Sequence, residues 1–600
     1  MIMLQNSPLH TFHIPVMGLG FTVDTPIKVA RFGISSVVSI MDDFLLEDMR
    51  KIYSQKLHLP FSPIPETEED YRAKRVEAYL NLLHSVVQTQ MHELIQSDWE
   101  KDSEFLHFLE LLPPNHLLHR LFGEFLSADA DQKNQLRKEI GSYLTPGSID
   151  VNIMTKVDKL NQGVDGEDLP REYSDALSAL RGFAKSKLDA AVVFSAGLNP
   201  ALYSYAEQFP GFFPDEKGHI QKRIILKVSD YRSALIQGKF LAKKGLWVSE
   251  FRIESGLNCG GHAFATDGYL IGPILEEFKT NRSQLIDTLK TAVNQTLAEK
   301  NLPLLPQTEF IKITYQGGIG NAQEDDFLRK HYQLDGTGWG SPFLLVPEAT
   351  SVDEDTLQRI LKAKKSDFYL SHASPLGVPF NNLRNSSGED QRKERIEKGR
   401  PGSPCYKKFL SFSTEFTKTP ICTASRQYQH LKSKQVQMGE ATFNEYQEVL
   451  QKDCLCEGLS APAILAQGET PRRNLKAVTI CPGPNLAYIK GIFSLRQMVD
   501  HIYGRISIAL DPERPHVLVK EAQLYVDHLK KEFQKLIPEA NAKQEAFLEK
   551  FRKNLQSGLD YYQNLVEEFT IDSEEMITKI KDQLAELKAE LEGLKAVSVV

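Results

Sequence analysis

Eight short apolar segments, each followed by a stretch with helical periodicity, constrain the fold more than any other feature of this 600-residue sequence. Apolar runs that alternate with helices in this way are typical of parallel strands that helices cover on both faces. The predicted strands are residues 14–17, 36–40, 150–154, 190–194, 223–228, 247–253, 309–314 and 337–341. Eight such units predict a closed (β/α)8 TIM barrel, and a doubly wound open sheet is the alternative that the strand count leaves open.

The barrel is predicted to be interrupted after its second strand. We assign residues 1–43 and 146–375 to the barrel and residues 44–145 to a helical insertion. In the insertion, Val76, Leu80, Leu83 and Val87 recur at steps of three and four, which indicates an amphipathic helix. Such an insertion covers the active-site mouth, binds a partner, or merely decorates the surface.

Two further regions follow the predicted barrel. Residues 376–514 form a cysteine-containing extension, in which the polar, turn-rich residues 380–404 predict a mobile excursion. Residues 515–600 are predicted to be helical. Near their end, apolar residues with a and d spacing predict packing back on the body or a dimer contact, and the short length favours packing back. These are Ile577, Ile580, Leu584, Leu587, Leu591 and Leu594.

Composition excludes several classes of protein. There are 71 Lys and Arg against 79 Asp and Glu, and the net charge of −8 argues against broad binding to nucleic acid or to an anionic membrane. No apolar run reaches the ~18 residues of a membrane span, and the first residues do not resemble a secretory signal. Six cysteines are too few for a disulfide scaffold. We therefore expect a soluble cytoplasmic protein that acts on a small molecule, with a homo-oligomer or protein partner contacting its helical regions.

Three glycine-rich segments follow the last predicted strands. Gly260 and Gly261 precede His262 after the sixth strand, where a histidine near its ordinary pKa can exchange a proton, although a histidine that merely packs in a loop is the alternative. The segments at 316–321 and 335–343 follow the seventh and eighth strands. Glycine-rich loops expose backbone N–H groups, and TIM barrels commonly bind phosphate there. Together the loops predict a phosphorylated ligand such as FMN.

The order of these segments resembles the nitronate monooxygenase family, formerly the 2-nitropropane dioxygenases, which are FMN-dependent (β/α)8 barrels. The family motifs E-A-G-G-H, A-G-G-I and D-G-x-x-x-G-T-x-F resemble residues 258–262, 316–319 and 335–343 of this chain. The residues 151–153 resemble the family's V-N-L strand, and 25–26 resemble its S-T-P segment. The resemblance covers about residues 12–42 and 150–365.

The resemblance implies roles for individual residues. His262 would transfer a proton at the flavin. The phosphate of FMN would bind at Gly318, Gly340 and Ser341, and the flavin would be lined by Asn152 and Gly261. Gly317 is a further cofactor-binding residue. Cys259 and Asn258 stand where the family has Ala and Glu, so the substrate stays open. The function implied is an FMN-dependent oxidoreductase of the nitronate monooxygenase type.

Two alternatives to that function remain at this point. One is an NAD(P)H-dependent flavin reductase that acts on an enoyl thioester, with His262 donating the proton. The other is a flavin-binding assembly protein that acts through its helices.

Five cysteines cluster in the extension and are candidates for iron–sulfur or zinc binding, although buried thiols without metal are the competing interpretation. They are Cys405, Cys422, Cys454, Cys456 and Cys481.

One helix start is also predicted from capping. Ser283 can cap a helix whose buried face carries Leu285, Leu289 and Val293.

Overall fold

A computed structural model describes residues 8–154, 157–163, 166–195, 197–258, 267–508, 510–536, 542–568 and 574–594. Eight parallel strands form a closed barrel in chain order, which confirms the predicted (β/α)8 fold and excludes the open sheet. The strands are β1 (Phe12–Ile14), β2 (Ser35–Ser39), β3 (Ile149–Met154), β4 (Ala190–Ser195), β5 (Lys222–Val228), β6 (Val248–Glu254), β7 (Lys312–Gln316) and β8 (Gly336–Gly338).

The barrel closes between its first and last strands. His13 of β1 pairs with Ser35 of β2 on one side and with Gly338 of β8 on the other. All neighbouring barrel strands run parallel, so their carboxyl ends share one face, which we call the mouth. Helices follow the strands: α1 (Thr25–Val29), α7 (Asp175–Lys185), α8 (Pro200–Ala206), α9 (Tyr231–Ala242), α10 (Ile271–Glu299), α11 (Ala322–His331) and α12 (Glu354–Lys362).

Helices occupy the long connection between β2 and β3, as predicted. The helix α3 (Tyr71–Gln96) buries Val76, Leu80 and Leu83 completely and packs against α2 (Asp43–Lys56) and α7. Burial of side chains this size contributes roughly 1.5–3 kcal/mol each. The helices of this connection are α2 (Asp43–Lys56), α3 (Tyr71–Gln96), α4 (Ser103–Leu111), α5 (Leu117–Ser127) and α6 (Ala130–Tyr143).

The extension begins with an antiparallel hairpin of β9 (Phe368–Ser371) and β10 (Phe380–Leu383). The predicted mobile excursion at 380–404 is wrong, because β10 and the helix α13 (Ser387–Glu397) lie within it. Ser386 caps that helix by accepting a hydrogen bond from Glu389 N, and Glu389 pairs with Arg392 at 2.7 Å. The charged residues of this segment therefore belong to a capped helix, which an internal ion pair stabilises. The helices that follow are α14 (Arg426–Gln437), α15 (Phe443–Leu450), α16 (Leu455–Gly458), α17 (Ala461–Ala466) and α18 (Leu495–Ile502).

Three helices end the described chain: α19 (Val517–Leu536), α20 (Ala542–Leu565) and α21 (Glu574–Gly593). The seam of α21 is buried at Ile580, Leu584, Leu587 and Leu591. It packs on α19 and α20, and α20 packs on α10 of the barrel. The prediction that this seam packs back on the body is therefore confirmed. None of the described helices is both long and apolar enough to cross a bilayer.

The helix that Ser283 was expected to cap begins earlier. The helix α10 starts at Ile271, so Ser283 lies inside it and the capping prediction is wrong. Ile274 and Phe278 extend the same buried face toward the amino end of the helix. Pro273 does not interrupt α10, because proline is tolerated in the first helical turn.

Candidate active site at the barrel mouth

The mouth carries Asn152, the predicted flavin-lining residue of β3. Its side chain is buried, and its Oδ1 accepts a hydrogen bond from the hydroxyl of Ser195 at 3.0 Å. Ser195 is the last residue of β4, so both side chains lie near strand ends. This is the face on which TIM barrels bind their ligands.

An ion pair that sequence analysis missed lies at the same face. Lys227 Nζ, on β5, is 2.9 Å from Glu254 Oε2, the end of β6. Gln316, the last residue of β7, donates from Nε2 to Glu254 Oε1 at 2.8 Å. The only signal in the sequence is a charged residue near the end of each otherwise apolar strand. The pair places fixed positive and negative charge at the mouth.

A second polar layer lies inside the barrel. Arg252 Nε donates to Glu250 Oε1 at 2.8 Å, and Arg252 also faces Asp150 of β3 at 3.9 Å. Because β3 and β6 are not neighbours in the sheet, this last contact crosses the barrel interior. Burial alone would raise the pKa of Glu250, but the Arg252 charge and its hydrogen bond lower that pKa to about 2. Burial lowers the pKa of His13 to about 3, so its ring is neutral at physiological pH.

Two buried polar atoms flank Gly338 and have no hydrogen-bond partner among the described residues. They are His13 Nε2 and Gln316 Oε1. A Cβ at position 338 would lie 2.7 Å from Gln316 Cβ and 3.0 Å from His13 Nε2, so glycine is required because both side chains pack directly against the backbone there. Buried polar atoms are nearly always satisfied in folded proteins, so these two atoms are candidates to bind a polar group at this end of the barrel.

The loops after β7 and β8 present backbone donors. Within the described residues, the N–H groups of Gly318, Ile319, Gly340 and Ser341 have no hydrogen-bond acceptor. The two loops are adjacent, because Gln316 and Gly338 pair in the sheet. N–H groups without acceptors in adjacent loops can form an anion site. The loops therefore offer donors that fit a phosphate.

Glycine is required in the β7 loop for close packing. Gly317 and Gly318 have φ values of 135° and 78°, a backbone region that other residues rarely adopt. A Cβ at Gly318 would lie 2.7 Å from Leu257 Cδ1, and one at Gly317 would lie 2.5 Å from the Ser255 hydroxyl. Both neighbours belong to the segment that follows β6, so the two loops pack directly on each other.

The C-terminal extension holds the β7 loop in place, which sequence analysis did not predict. Arg514 donates to the Gly318 carbonyl at 2.7 Å and pairs with Glu324 of α11 at 2.6 Å. Asn485 donates to the Ile319 carbonyl at 2.7 Å. Burial would raise the pKa of Glu324, but Arg514 and other donors hold that pKa below its ordinary value. The extension is thus part of the candidate site.

A cavity of about 640 Å³ opens beside the mouth. Gly256 and Leu257 of the segment after β6 line its inner end, together with Gly483. Gly483 packs on Ser341, since a Cβ at 483 would lie 2.7 Å from the Ser341 hydroxyl. The hairpin β9–β10 and the helix α19 form the outer walls. A ligand at the phosphate loops therefore has space beside it for a substrate.

The structure brings most of the predicted site residues to one face. Asn152 lies on β3, Gly317 and Gly318 lie in the β7 loop, and Gly340 and Ser341 lie directly after β8. Gly261 and His262 lie in 259–266, outside the described residues. Their roles stay predictions.

The candidate metal-binding cysteines separate into two groups. Cys405, Cys422, Cys454 and Cys456 lie within electrostatic range of one another. Cys481 belongs to the segment that packs on the β8 loop. In the part of the chain that the structure describes, no three His, Cys, Asp or Glu side chains are arranged around a single metal ion.

Comparison with known proteins gives only distant similarity. No family model matches the chain, and the search of curated proteins found no match. The structure of FabK from Thermotoga maritima is 14% identical, with 68% of this chain and 85% of that chain covered and a TM-score of 0.29. Nitroalkane oxidase from Streptomyces ansochromogenes is 10% identical, with 84% and 97% covered and a TM-score of 0.34. Similarities this weak do not bear on the cofactor or the reaction.

Proposed function

We propose that this chain is an FMN-dependent oxidoreductase whose reaction resembles that of the nitronate monooxygenases. The observation that supports it best is the set of N–H groups without acceptors in the adjacent loops after β7 and β8. They stand where TIM barrels bind the phosphate of a cofactor. The unpaired atoms of His13 and Gln316 and the neighbouring cavity favour a polar ligand that extends from the phosphate across the mouth.

Each part of the cofactor has candidate partners in this arrangement. The loop glycines Gly317, Gly318 and Gly340 would bind the phosphate together with Ser341. Asn152 would line the ring system with Gly261, and the Lys227–Glu254 pair would set the charge at its edge. FMN, when bound, accepts the electrons that the substrate loses, while the protein orients the substrate and moves protons.

His262 would act as the proton-transfer group. In the proposed reaction its neutral ring removes a proton from a carbon beside an electron-poor group, so that the electrons can leave the substrate. A histidine is suited to this role because its ordinary pKa lies near neutral pH. This role rests on the family resemblance and on the position of residue 262 shortly after β6.

The histidine role is tested with one variant and a matched control. His262→Gln is expected to abolish oxidation of the neutral nitroalkane, whose carbon still carries the proton, while the FMN content per chain stays unchanged. His58→Gln replaces an exposed histidine that follows α2 and is expected to keep wild-type turnover. Steady-state oxygen consumption and FMN content are measured for both variants. Full activity of the His262 variant would refute its catalytic role.

The size of the cavity favours a second candidate, an NAD(P)H-dependent enoyl-thioester reductase. The cavity continues from the mouth along α19, with the apolar and aromatic side chains of Phe368, Tyr369 and Leu524 on its walls. Lys520 and Lys531 line the cavity together with Asp527 and Glu532, so its walls carry charges of both signs. Such a space suits an elongated substrate with an apolar chain better than it suits a small nitroalkane.

The two candidates differ in what reduces the flavin. Anaerobic mixing with NADPH or NADH bleaches the flavin of an enoyl reductase, and a 2-enoyl thioester restores its colour. A nitronate monooxygenase is reduced by the nitronate itself and is not reduced by the nicotinamide. Stopped-flow absorbance with each reductant separates the two.

A further inference from the structure

A second cavity, of about 290 Å³, adjoins the one beside the mouth, and we call it the hairpin cavity. Residues 369–372, in and just after β9, line both cavities, so the two meet along this strand. The other walls are Arg384, which follows β10, one face of α13, and Gln451, which follows α15. Sites for whole small molecules commonly have volumes of about 300–1,000 Å³, so the hairpin cavity suits one end of a larger ligand.

The charged side chains that line the hairpin cavity are mostly positive. Arg384, Arg392 and Lys393 line it together with a single carboxylate, that of Glu389. With His372 left aside, positive charges therefore exceed negative ones by two, in a chain whose own net charge is −8. A cavity of this sign in an acidic protein favours an anionic ligand.

The one carboxylate of these walls already has partners. The Glu389 side chain is only 4% exposed and pairs with Arg392 at 2.7 Å, and it also accepts a hydrogen bond from Asn382 Nδ2 at 3.3 Å. Arg392 in turn donates from Nη1 to the Leu450 carbonyl at 2.9 Å. Glu389 and Arg392 neutralise each other, so the other two cations receive no counter-charge from the cavity walls.

Arg384 is held in place while part of its guanidinium group is unused. Its Nε donates to the Ser366 carbonyl at 3.2 Å, and its Cζ lies 3.9 Å from the centre of the Tyr369 ring. Stacking on an aromatic ring orients the guanidinium plane. The two Nη groups have no hydrogen-bond partner among the described residues. They form the planar fork that matches two oxygens of a phosphate.

Lys393 supplies the second cation without a counter-charge. Its Nζ lies 3.5 Å from the Arg384 carbonyl oxygen, which places the ammonium group at the same wall. In the part of the chain that the structure describes, neither Lys393 nor Arg384 forms an ion pair. Lys398, which follows the same helix, differs from them because it pairs with Glu394. The charge of the hairpin cavity is thus available to a ligand.

We propose that the hairpin cavity binds a phosphate monoester through Arg384 and Lys393. Such a group carries a charge of about −1.5 to −2 at neutral pH and three strong acceptor oxygens. Its charge matches the excess of two in the walls. The guanidinium fork accepts two of the oxygens and the ammonium group binds the third. A carboxylate would offer only one charge and two oxygens.

The position of the hairpin cavity extends the proposed function, and only this step rests on that function. Because residues 369–372 line both cavities, a ligand at the mouth can continue past β9 and place a phosphate at Arg384. Two sources have the required chemistry. One is the 2′-phosphate of NADPH, the reductant of the second candidate function, and the other is a separate phosphorylated molecule that binds in the hairpin cavity alone.

The test is isothermal titration calorimetry of the full-length protein in phosphate-free buffer, with inorganic phosphate, NADP+ and NAD+ as probes. We expect phosphate to bind, and we expect Arg384→Gln and Lys393→Gln each to weaken its binding about tenfold, the effect of losing one charge-assisted hydrogen bond. Lys398→Gln is the matched control, because its ammonium group already has a carboxylate partner, and it is expected to keep wild-type affinity.

The three probes also separate the two sources. NADP+ that binds more tightly than NAD+, with Arg384→Gln removing the difference, supports the proposal and identifies the dinucleotide. Equal affinities for NADP+ and NAD+, with phosphate binding weakened in both variants, support it and identify a separate phosphorylated ligand.

Two results would overturn the proposal. One is a wild-type protein that binds neither phosphate nor NADP+, and the other is phosphate binding that neither Arg384→Gln nor Lys393→Gln weakens. Phosphate bound at the loops after β7 and β8 would persist in both variants. The outcome therefore does not depend on whether FMN binds at those loops, and this proposal can fail while the proposed function holds, and the reverse.

Discussion

Replacing Arg514 with leucine tests how the C-terminal extension supports the candidate site. The Arg514 and Glu324 side chains are only 7% and 1% exposed, and their closest nitrogen and oxygen atoms are 2.6 Å apart. The variant leaves the Glu324 carboxylate buried without its counter-charge. It also removes the hydrogen bond to the Gly318 carbonyl in the β7 loop.

The expected size of the effect comes from that burial. Removing one partner of a buried ion pair costs roughly 3–5 kcal/mol of stability. Glu324 keeps hydrogen bonds from the backbone N–H groups of Gly320 and Val517, both at 2.8 Å, which places the loss at the lower end. We therefore expect Arg514→Leu to lower the free energy of unfolding by about 3 kcal/mol. FMN affinity should fall as well, because the β7 loop loses a support.

The assay is urea denaturation of the wild type, Arg514→Leu, Glu324→Gln and the double variant, each followed by FMN titration. Since neither charge is left unpaired in the double variant, its loss should be smaller than the sum of the single losses by about 1–3 kcal/mol. A single Arg514→Leu loss below about 0.5 kcal/mol, the range of ordinary surface substitutions, would refute the reasoning. Additive losses would refute it too.

Three further predictions address the loop, the barrel interior and the extension. Gly318 has a φ of 78°, and a Cβ there would lie 2.7 Å from Leu257 Cδ1, so Gly318→Ala should lower the free energy of unfolding by about 1–2 kcal/mol and weaken FMN binding. Gly123 lies in a helix with no atom near its Cβ position, so Gly123→Ala should raise the free energy of unfolding by about 0.5–1 kcal/mol. Equal thermal midpoints of the two variants would contradict this. Burial lowers the pKa of His13 from 6.5 to about 3. The stability that its neutral ring contributes is therefore fully present above pH 6.5, and the free energy of unfolding falls below that pH by up to about 1.4 kcal/mol per pH unit. His13→Gln should therefore flatten the fall of the urea midpoint between pH 6.5 and 4.5, and an unchanged slope would contradict it. Burial raises the pKa of Glu521 from 4.5 to about 7, so the stability that its protonated form contributes is lost as the pH rises through 7. The free energy of unfolding of Glu521→Gln, minus that of the wild type, should therefore be larger at pH 8 than at pH 5. A difference that does not change with pH would argue against this.

The barrel could be predicted because the residue pattern of each strand and helix lies within that element. Each strand is a short apolar run between helical stretches, and the glycines at 317, 318 and 340 mark the loops after β7 and β8. The helical insertion followed from the regular spacing of Val76 and Leu80. These patterns are set by which face of one element is buried, and the sequence of that element alone carries them.

The supports of the site could not be predicted, because they join residues far apart in the chain. Arg514 reaches a loop almost 200 residues earlier, and Lys227 pairs with a residue on the next strand. An isolated Arg or Lys looks the same whether it faces water or a buried carboxylate. The segment 380–404 was misjudged for a related reason, since the charged residues of α13 pair with one another and with Asn382, which the composition does not reveal.

The most direct test of the proposed function is whether the purified chain carries FMN. Protein freed of unbound cofactor by gel filtration is heat-denatured, and the released flavin is quantified by fluorescence and chromatography. We predict one FMN per chain, with a Gly318→Ala protein that binds FMN more weakly and a Gly123→Ala protein that binds it normally. A colourless wild-type protein that shows no heat of binding when titrated with FMN would contradict the account.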